Sequence, residues 1–352
     1  MPKKEKLSCT RKSPYVVLGR FVQRNHPVIF SKLYNFLDAT KDFAVNINYN
    51  IRIGKRSPIR KGKVLDTLTF SLTNVCNASC IFCPYELLHD KKEFMKFPVF
   101  KKALDQFIEQ GGKHVSFTPI FGEALLDNDL FNKINYCKKK GVNDIFLFTN
   151  GILLNKNYKQ IVDSGLDKLI ISFSEFDSKK YCEVYRVTQK VHKELIEGLE
   201  KLLKYNEKKG HKVHITLALR PSSVPKNVMK NSFFVNNLKK YLDDVAVMTI
   251  FNSHNGKIKQ ENLKGVMRIK RPFRNKNYPC VMLYEMVTLL PNGDVKLCGC
   301  TFHKTLNEFV IGNINDQDIF NIYNGDKANN LRKNFKNNPL CKKCTIYKPY
   351  RK

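Results

Sequence analysis

Thr67-Leu68-Thr69-Phe70-Ser71-Leu72 leads through Thr73-Asn74-Val75 into Cys76-Asn77-Ala78-Ser79-Cys80-Ile81-Phe82-Cys83-Pro84. The first six residues mix β-branched, aromatic and apolar types and read as a buried strand. Three cysteines follow at its carboxyl end. Three thiolates in one loop can each take one iron of a [4Fe–4S] cluster and leave the fourth iron open to a small chelating ligand. A structural zinc loop normally uses four ligands in two CxxC-like pairs, and no fourth cysteine is adjacent here.

Outward from this loop the chain alternates strand-like and helical runs. Strands are expected at 67–72, 114–118, 144–149, 168–173, 212–219 and 244–251. Between them lie helical patterns such as Phe100, Leu104, Phe107, Ile108 and Leu195, Leu199, Leu202, Leu203. Six strand–helix repeats predict an α/β fold, a parallel sheet with right-handed crossovers, two repeats short of a closed (β/α)8 barrel. A partial (β/α)6 barrel fits. In such sheets chemistry collects at the carboxyl ends of the strands, where the cysteine loop stands. Residues 253–279 are polar and basic and read as a linker. Apolar runs then flank Pro291-Asn292-Gly293-Asp294, the mark of a hairpin, and a helical stretch follows over 318–335. The expected domains are a basic N-terminal extension (1–64), the partial barrel (65–258), and a linker with a small C-terminal α+β domain (259–352).

The chain has 352 residues, 42% of them hydrophobic, with a net charge of +31. It can fill a core, which excludes a disordered protein. No run of 18 apolar residues marks a membrane span, and no secretory leader is expected, so the predicted location is cytoplasmic. Residues 1–64 hold 15 Lys and Arg against Glu5, Asp38 and Asp42. A broken helical pattern over 16–37, split by Pro27, reads either as a solvated basic face or as a surface for an anionic partner, including membrane headgroups. Eleven cysteines, clustered at 76–83 and 280–344, read as metal or redox chemistry rather than a disulfide framework. Cys137 and Cys182 lie on helical patterns and read as packing residues.

The C-x3-C-x2-C spacing resembles the radical S-adenosylmethionine (SAM) superfamily. Members chelate SAM through its amino and carboxylate groups on the open iron, cleave it to a 5′-deoxyadenosyl radical, and abstract a hydrogen atom from substrate. The resemblance implies that Cys76, Cys80 and Cys83 are the catalytic cluster ligands. Further motifs follow in family order. Phe82 matches the aromatic residue whose backbone helps hold adenine. Gly122-Glu123-Ala124 resembles the Gly-Glu-Pro motif that holds the SAM ammonium, with Ala124 in place of proline. Phe148-Thr149-Asn150-Gly151 resembles Thr-Asn-Gly, which adds Asn150. Ser172 stands where relatives meet the ribose and Arg186 where an arginine pairs with the SAM carboxylate, although Ser174-Glu175 replaces the usual Ser-x-Asp-Gly. Both also read as ordinary surface polar residues.

Cys280, twelve residues, Gly293, four residues and Cys298 form the pattern of SPASM and twitch auxiliary-cluster domains, and Cys341-Lys342-Lys343-Cys344 completes a four-thiolate set. This resemblance implies one auxiliary [4Fe–4S] cluster on Cys280, Cys298, Cys341 and Cys344, with Cys300 as a fifth candidate; a four-cysteine zinc site is the structural alternative. The implied activity is oxidation or another radical modification of a sugar, glycan precursor or peptide, the last by a maturase of the sulfatase or modified-peptide type. The implied reductant is a flavodoxin or ferredoxin. The molybdenum-cofactor cyclase ends in a di-glycine tail, whereas this chain ends Tyr350-Arg351-Lys352, so that assignment is disfavoured. A non-enzymatic iron–sulfur or zinc scaffold and an RNA-binding protein are the other classes; no RRM, KH or OB pattern supports the second.

Overall fold

The computed structural model describes residues 14–34, 65, 67–272, 276, 279–284, 286–299 and 307–347. Six parallel strands lie side by side in chain order: β1 Thr67–Phe70, β2 His114–Phe117, β3 Asp144–Thr149, β4 Lys168–Phe173, β5 His214–Leu219 and β6 Asp244–Val247. Helices return the chain between them: α3 Phe97–Glu109, α4 Leu130–Lys139, α5 Leu154–Asp163, α6 Ser178–Tyr185 and α7 Gln189–Lys208. Each sends its periodic apolar face to the sheet, as α3 does with Phe100, Ala103, Leu104 and Phe107. Helix starts are written locally: the Thr188 side chain accepts from the Val191 amide and that of Asp177 from the Lys180 amide. Gly198 lets α7 close on α5, since a Cβ there would stand 2.4 Å from the Asn155 amide nitrogen. These six strands are the predicted partial barrel, with β6 at one edge of the sheet.

The run 244–251 is not one strand. It stops at Val247, and Ile250–Phe251 (β7) leaves the sheet to pair with Arg268–Ile269 (β8). The predicted linker therefore contains ordered structure, with Leu263, Val266 and Met267 buried. The hairpin forms as expected from β9 Met286–Leu289 and β10 Asp294–Leu297, and β11 Val310–Asn313 adds to β10. However, β9 pairs in parallel with β1 over four residues, Thr67–Phe70 against Met286–Leu289. The C-terminal segment thus extends the barrel sheet into nine strands, in the order β11-β10-β9-β1-β2-β3-β4-β5-β6. The predicted helix over 318–335 is broken at Gly325 into α9 Ile319–Asn324 and α10 Asp326–Asn334, and α11 Pro339–Lys343 carries Cys341.

At the other edge the N-terminal stretch is helical: α1 Pro14–Asn25, then residues 27–34 (α2). Gln23 donates its side-chain amide to the Val247 carbonyl of β6 at 2.8 Å, and α1 packs on α8, Pro225–Met229.

Candidate active site

The loops after β1, β2, β3 and β5, with Ser172 of β4, Tyr185 of α6 and His254 after β7, border one cavity of about 280 Å³. The cysteine loop after β1 is pinned by its backbone. The Ile81 amide donates to the Val184 carbonyl at 2.9 Å, the Cys76 amide to the Tyr85 hydroxyl at 2.9 Å, and the Cys83 amide to the Cys80 carbonyl at 2.9 Å. Cys76, Cys80 and Cys83 all border the cavity. Burial raises all three thiols, Cys80 well above its usual range and Cys83 to about 12; Glu123 pushes the same way on Cys76 and neighbouring thiols on Cys80 and Cys83, where the Arg220 charge opposes. Among the described residues no three His, Cys, Asp or Glu side chains are gathered so as to hold one metal ion. A single ion draws its thiolates to about 2.3 Å. A four-iron cluster seats each thiolate on a separate iron, so it needs only that the thiols border one space.

The loop after β2 brings Gly122 and Glu123. Gly122 has φ +131°, and a Cβ would stand 2.5 Å from the Thr73 carbonyl oxygen, so only glycine lets this loop lie against the cysteine loop. Glu123 is 1% exposed. Its Oε1 accepts from the Thr149 hydroxyl at 2.7 Å and the Leu125 amide at 3.0 Å, and its Oε2 from the Asn150 amide at 2.7 Å. Burial raises its pKa, and those three donors oppose the rise. Glu123 thereby ties the end of β3 to the loop after β2. Asn150 donates onward to Asn77 at 2.7 Å, inside the cysteine loop. Ser172, at the end of β4, shares a 2.7 Å hydrogen bond with the Tyr185 hydroxyl. Phe82 is buried, stacked on Phe251 and edge-on to Tyr185.

Arg186 is not among the residues bordering this cavity. It ends α6 in the left-handed region, φ 52°, and its half-exposed guanidinium pairs with Glu86 on the surface. The cavity's arginine is Arg220, after β5, which the sequence reading did not single out. Its guanidinium carbon lies 5.0 Å from the Phe82 ring centre and 5.3 Å from that of Phe148. Its Nε is buried with no hydrogen-bond partner among the described residues. Glu175 holds the turn just beyond, accepting from the Ser223 amide at 2.7 Å and the Ser222 hydroxyl at 3.1 Å. His254, also unforeseen, closes the cavity next to Phe121; burial first, and the Arg220 charge second, lower its pKa to about 4. A cation in a loop immediately after an apolar strand, as in Leu219-Arg220, was the available sequence signal.

The second cysteine group lies beside this site. Cys280, Cys298 and Cys344 are buried, and Cys341 is partly exposed. Burial, then the neighbouring Cys344 and Cys280 thiols, raise Cys341 to about 12. Cys298 ends β10 in the left-handed region with φ 56°. Cys300 and Cys9 lie outside the described residues. Asn338 caps α11 through the Leu340 and Cys341 amides, and Lys276 donates to the Lys342 and Cys344 carbonyls at 2.8 Å. Thr345, next to Cys344, donates to the Asn252 side chain at 2.7 Å and accepts from the Ser253 amide at 3.3 Å. The His254 loop is thus fastened to the cysteine loop at 341–344. Cys137 is fully buried within α4, as a packing residue is.

Residues 70–221 match the model of the Radical SAM superfamily, and residues 280–345 that of an iron-sulfur cluster-binding domain, SPASM. The chain carries a radical SAM domain over residues 70–221. A relative from Methanococcus maripaludis named as a probable GTP 3′,8-cyclase is 31% identical over 126 residues, 36% of this chain and 42% of the relative. The chain thus spans less than half the length of the first curated relatives it matches. A GTP 3′,8-cyclase from Aliarcobacter butzleri is 25% identical over 305 residues, 79% of this chain and 91% of the relative. Among solved structures, BtrN in complex with AdoMet and 2-DOIA superposes with a TM-score of 0.53 at 19% identity, over 82% of this chain and 98% of BtrN. Streptococcus suis SuiB bound to precursor peptide SuiA gives 0.51 at 16% identity, over 89% and 82%. At these identities the structures speak for the fold alone.

A radical SAM domain implies a [4Fe–4S] cluster and SAM, and a SPASM domain implies auxiliary iron–sulfur chemistry. The donor set fits both groups. Thiolate is the ligand iron–sulfur clusters take, three thiols border one cavity, and a guanidinium with an unpartnered Nε borders the same space. No described helix is long and apolar enough to cross a membrane.

Proposed function

We propose that this radical SAM enzyme holds its catalytic [4Fe–4S] cluster on Cys76, Cys80 and Cys83 and uses it to modify a sugar, glycan precursor or peptide. The observation that carries this is the convergence of the three thiols, Glu123, Asn150, Ser172 and Arg220 on one cavity at the carboxyl ends of β1–β5. When bound and reduced, the cluster supplies the electron that cleaves SAM to a 5′-deoxyadenosyl radical able to abstract a hydrogen atom from substrate. The residues do the rest by holding. Arg220 offers the SAM carboxylate a charged fork, braced between Phe82 and Phe148. Glu123 fixes the β2 and β3 loop ends and contributes negative charge to the ammonium side. Ser172, oriented by Tyr185, faces the cavity as a ribose contact. Gly122 keeps the β2 loop close enough to form the wall. The auxiliary cluster is assigned to Cys280, Cys298, Cys341 and Cys344, and the one-electron donor to a flavodoxin or ferredoxin. Held by those four thiolates, the cluster would supply a one-electron acceptor.

The test is anaerobic reconstitution followed by reduction. Wild type should show a cluster EPR signal that changes with SAM and should release 5′-deoxyadenosine. Changing Cys76, Cys80 and Cys83 together to Ala should abolish both, and continued deoxyadenosine release by that variant would sink the assignment. A second reading, cyclisation of GTP, is favoured by the relatives named for that reaction. GTP supplied to the reduced, SAM-loaded protein separates the two readings: its conversion, seen by mass spectrometry, would select the cyclase.

A further inference from the structure

The three most exposed large apolar side chains among the described residues, with two further exposed ones, gather on one short stretch. Leu18, Phe21, Val28, Ile29 and Leu33 are 60, 59, 37, 59 and 43% exposed. They lie on α1 and α2, whose hydrogen bonding runs through the Pro27 break: the His26 amide donates to the Val22 carbonyl at 2.7 Å and the Phe30 amide to the His26 carbonyl at 2.8 Å. The two helices therefore share one register. Phe21, Ile29 and Leu33 follow Leu18 by 3, 11 and 15 positions, close to whole turns of about 3.6 residues. The buried residues Pro27 and Ser31 follow it by 9 and 13, about half a turn out of phase. One face of this bent rod packs on the barrel, through Gln23 on Val247 and α1 on α8. The opposite face is an apolar stripe that no described residue covers.

The charge says what covers it. Between residues 14 and 34 there is no Asp or Glu, while Arg20, Arg24 and Lys32 are present; Lys3, Lys4, Lys6, Arg11 and Lys12 precede them against Glu5 alone. A stripe of Leu, Phe and Ile with Lys32 within it, and with Arg20 and Arg24 farther round the same rod, on a helix that lies along the protein surface, is the pattern of interfacial helices that bury their apolar side just below the headgroups. Lys32 sits within the stripe, and its stem is long enough to carry the ammonium back to the phosphates. A second copy would bring an equally cationic rod against this one, which disfavours self-association.

We propose that the outer face of the α1–α2 rod is a docking surface for an anionic phospholipid bilayer. It goes beyond the radical SAM reading and stands or falls without it, since the rod is remote in sequence from every cysteine assigned above.

The experiment is co-sedimentation of the full chain with phosphatidylcholine vesicles, with and without phosphatidylserine. Wild type should pellet with the anionic vesicles, bind neutral ones roughly ten-fold or more weakly, and release as salt is raised. The Phe21→Asp, Ile29→Asp double variant should bind anionic vesicles at least about ten-fold less, with an unchanged thermal midpoint and unchanged SAM affinity. Undiminished binding by the double variant would overturn the proposal, leaving charge alone as the cause. So would indifference of the wild type to anionic vesicles. A wild-type dimer that the variant converts to monomer would assign the stripe to a second copy. A variant of lowered thermal midpoint, with no vesicle binding by the wild type, would assign it to residues 35–64 of the same chain.

Discussion

Glu123 meets three protein donors before any ligand arrives. Glu123→Ala leaves the Thr149 hydroxyl and the amides of Leu125 and Asn150 without their acceptor in a buried place, at about 1–3 kcal/mol for each buried group left unpaired. We expect that variant to lose thermal stability and SAM affinity together, and Glu123→Gln, which keeps one acceptor oxygen, to lose less of both. Loss of SAM affinity with an unchanged melting midpoint would show that the carboxylate serves the ligand alone. Arg220→Ala should weaken SAM binding by roughly ten-fold or more, the scale of one charge-assisted hydrogen bond, while Arg186→Ala should leave it unaltered; isothermal titration separates them. His254 adds a pH dependence to the cofactor-free protein. Its folded pKa of about 4 lies below the usual 6.5, so the unfolded chain binds more protons between these values. Stability should therefore be full above about pH 6.5 and fall as pH drops toward 4, and His254→Gln should remove part of that fall in urea titrations. Arg186 was readable as a candidate because it lies near a motif position in the sequence. Its exclusion was not readable, because the left-handed turn that sends it to Glu86 is set by how α6 ends. Arg220 carried a local signal in its place just after β5, whereas His254 carried none, because its loop follows β7, outside the main sheet, and is held by Thr345 far along the chain.

The strands of the barrel were legible as elements because each is rich in β-branched, aromatic and aliphatic residues over a strand's length, and β3 and β4 keep the very bounds the runs suggest. The 244–251 run looked the same and is not one strand. Its apolar continuity does not record that Ile250–Phe251 finds a different partner, since pairing is decided at long range. The hairpin was legible through its Pro-Asn-Gly-Asp turn, whereas the parallel docking of β9 on β1 was not. The cysteine-bearing α11 is held by the Asn338 cap, by Lys276 and, through Thr345, by the loop of His254. Changing Cys341 and Cys344 to Ala should lower iron from about eight to about four per chain, the content of one four-iron cluster. That variant should still cleave SAM slowly but lose substrate turnover, and Cys300→Ala should keep near eight irons. Zinc in the native site, or full turnover by the double variant, would remove the auxiliary role; four irons lost with Cys300 would place it among the ligands in another's stead.

At the scale of the molecule, the predicted division into barrel and C-terminal module meets a single sheet. β1 is flanked by β2 on one side and β9 on the other, both parallel. A chain ended after residue 272 should expose the unpaired edge of β1 along with Leu68 and Phe70, so we expect it to aggregate or lose sharp thermal unfolding rather than persist as a free barrel. A well-behaved monomer with cooperative melting, by size-exclusion chromatography and circular dichroism, would show that the barrel stands alone.

The pairing of β1 with β9 also sets an order in time. Thr67 and Met286 are partners 219 residues apart. At roughly 5–20 residues per second, a ribosome needs about 10–40 s to deliver the second after the first. Even once β2 has been made, the strand that leads into Cys76 has one flank that can be paired and one bare one, in a nascent chain that does not yet hold its C-terminal cysteines. The sheet is sealed only when nearly all of the chain has been made. Delivery of iron and sulfur to the first cysteine loop can therefore precede completion of the scaffold that steadies it.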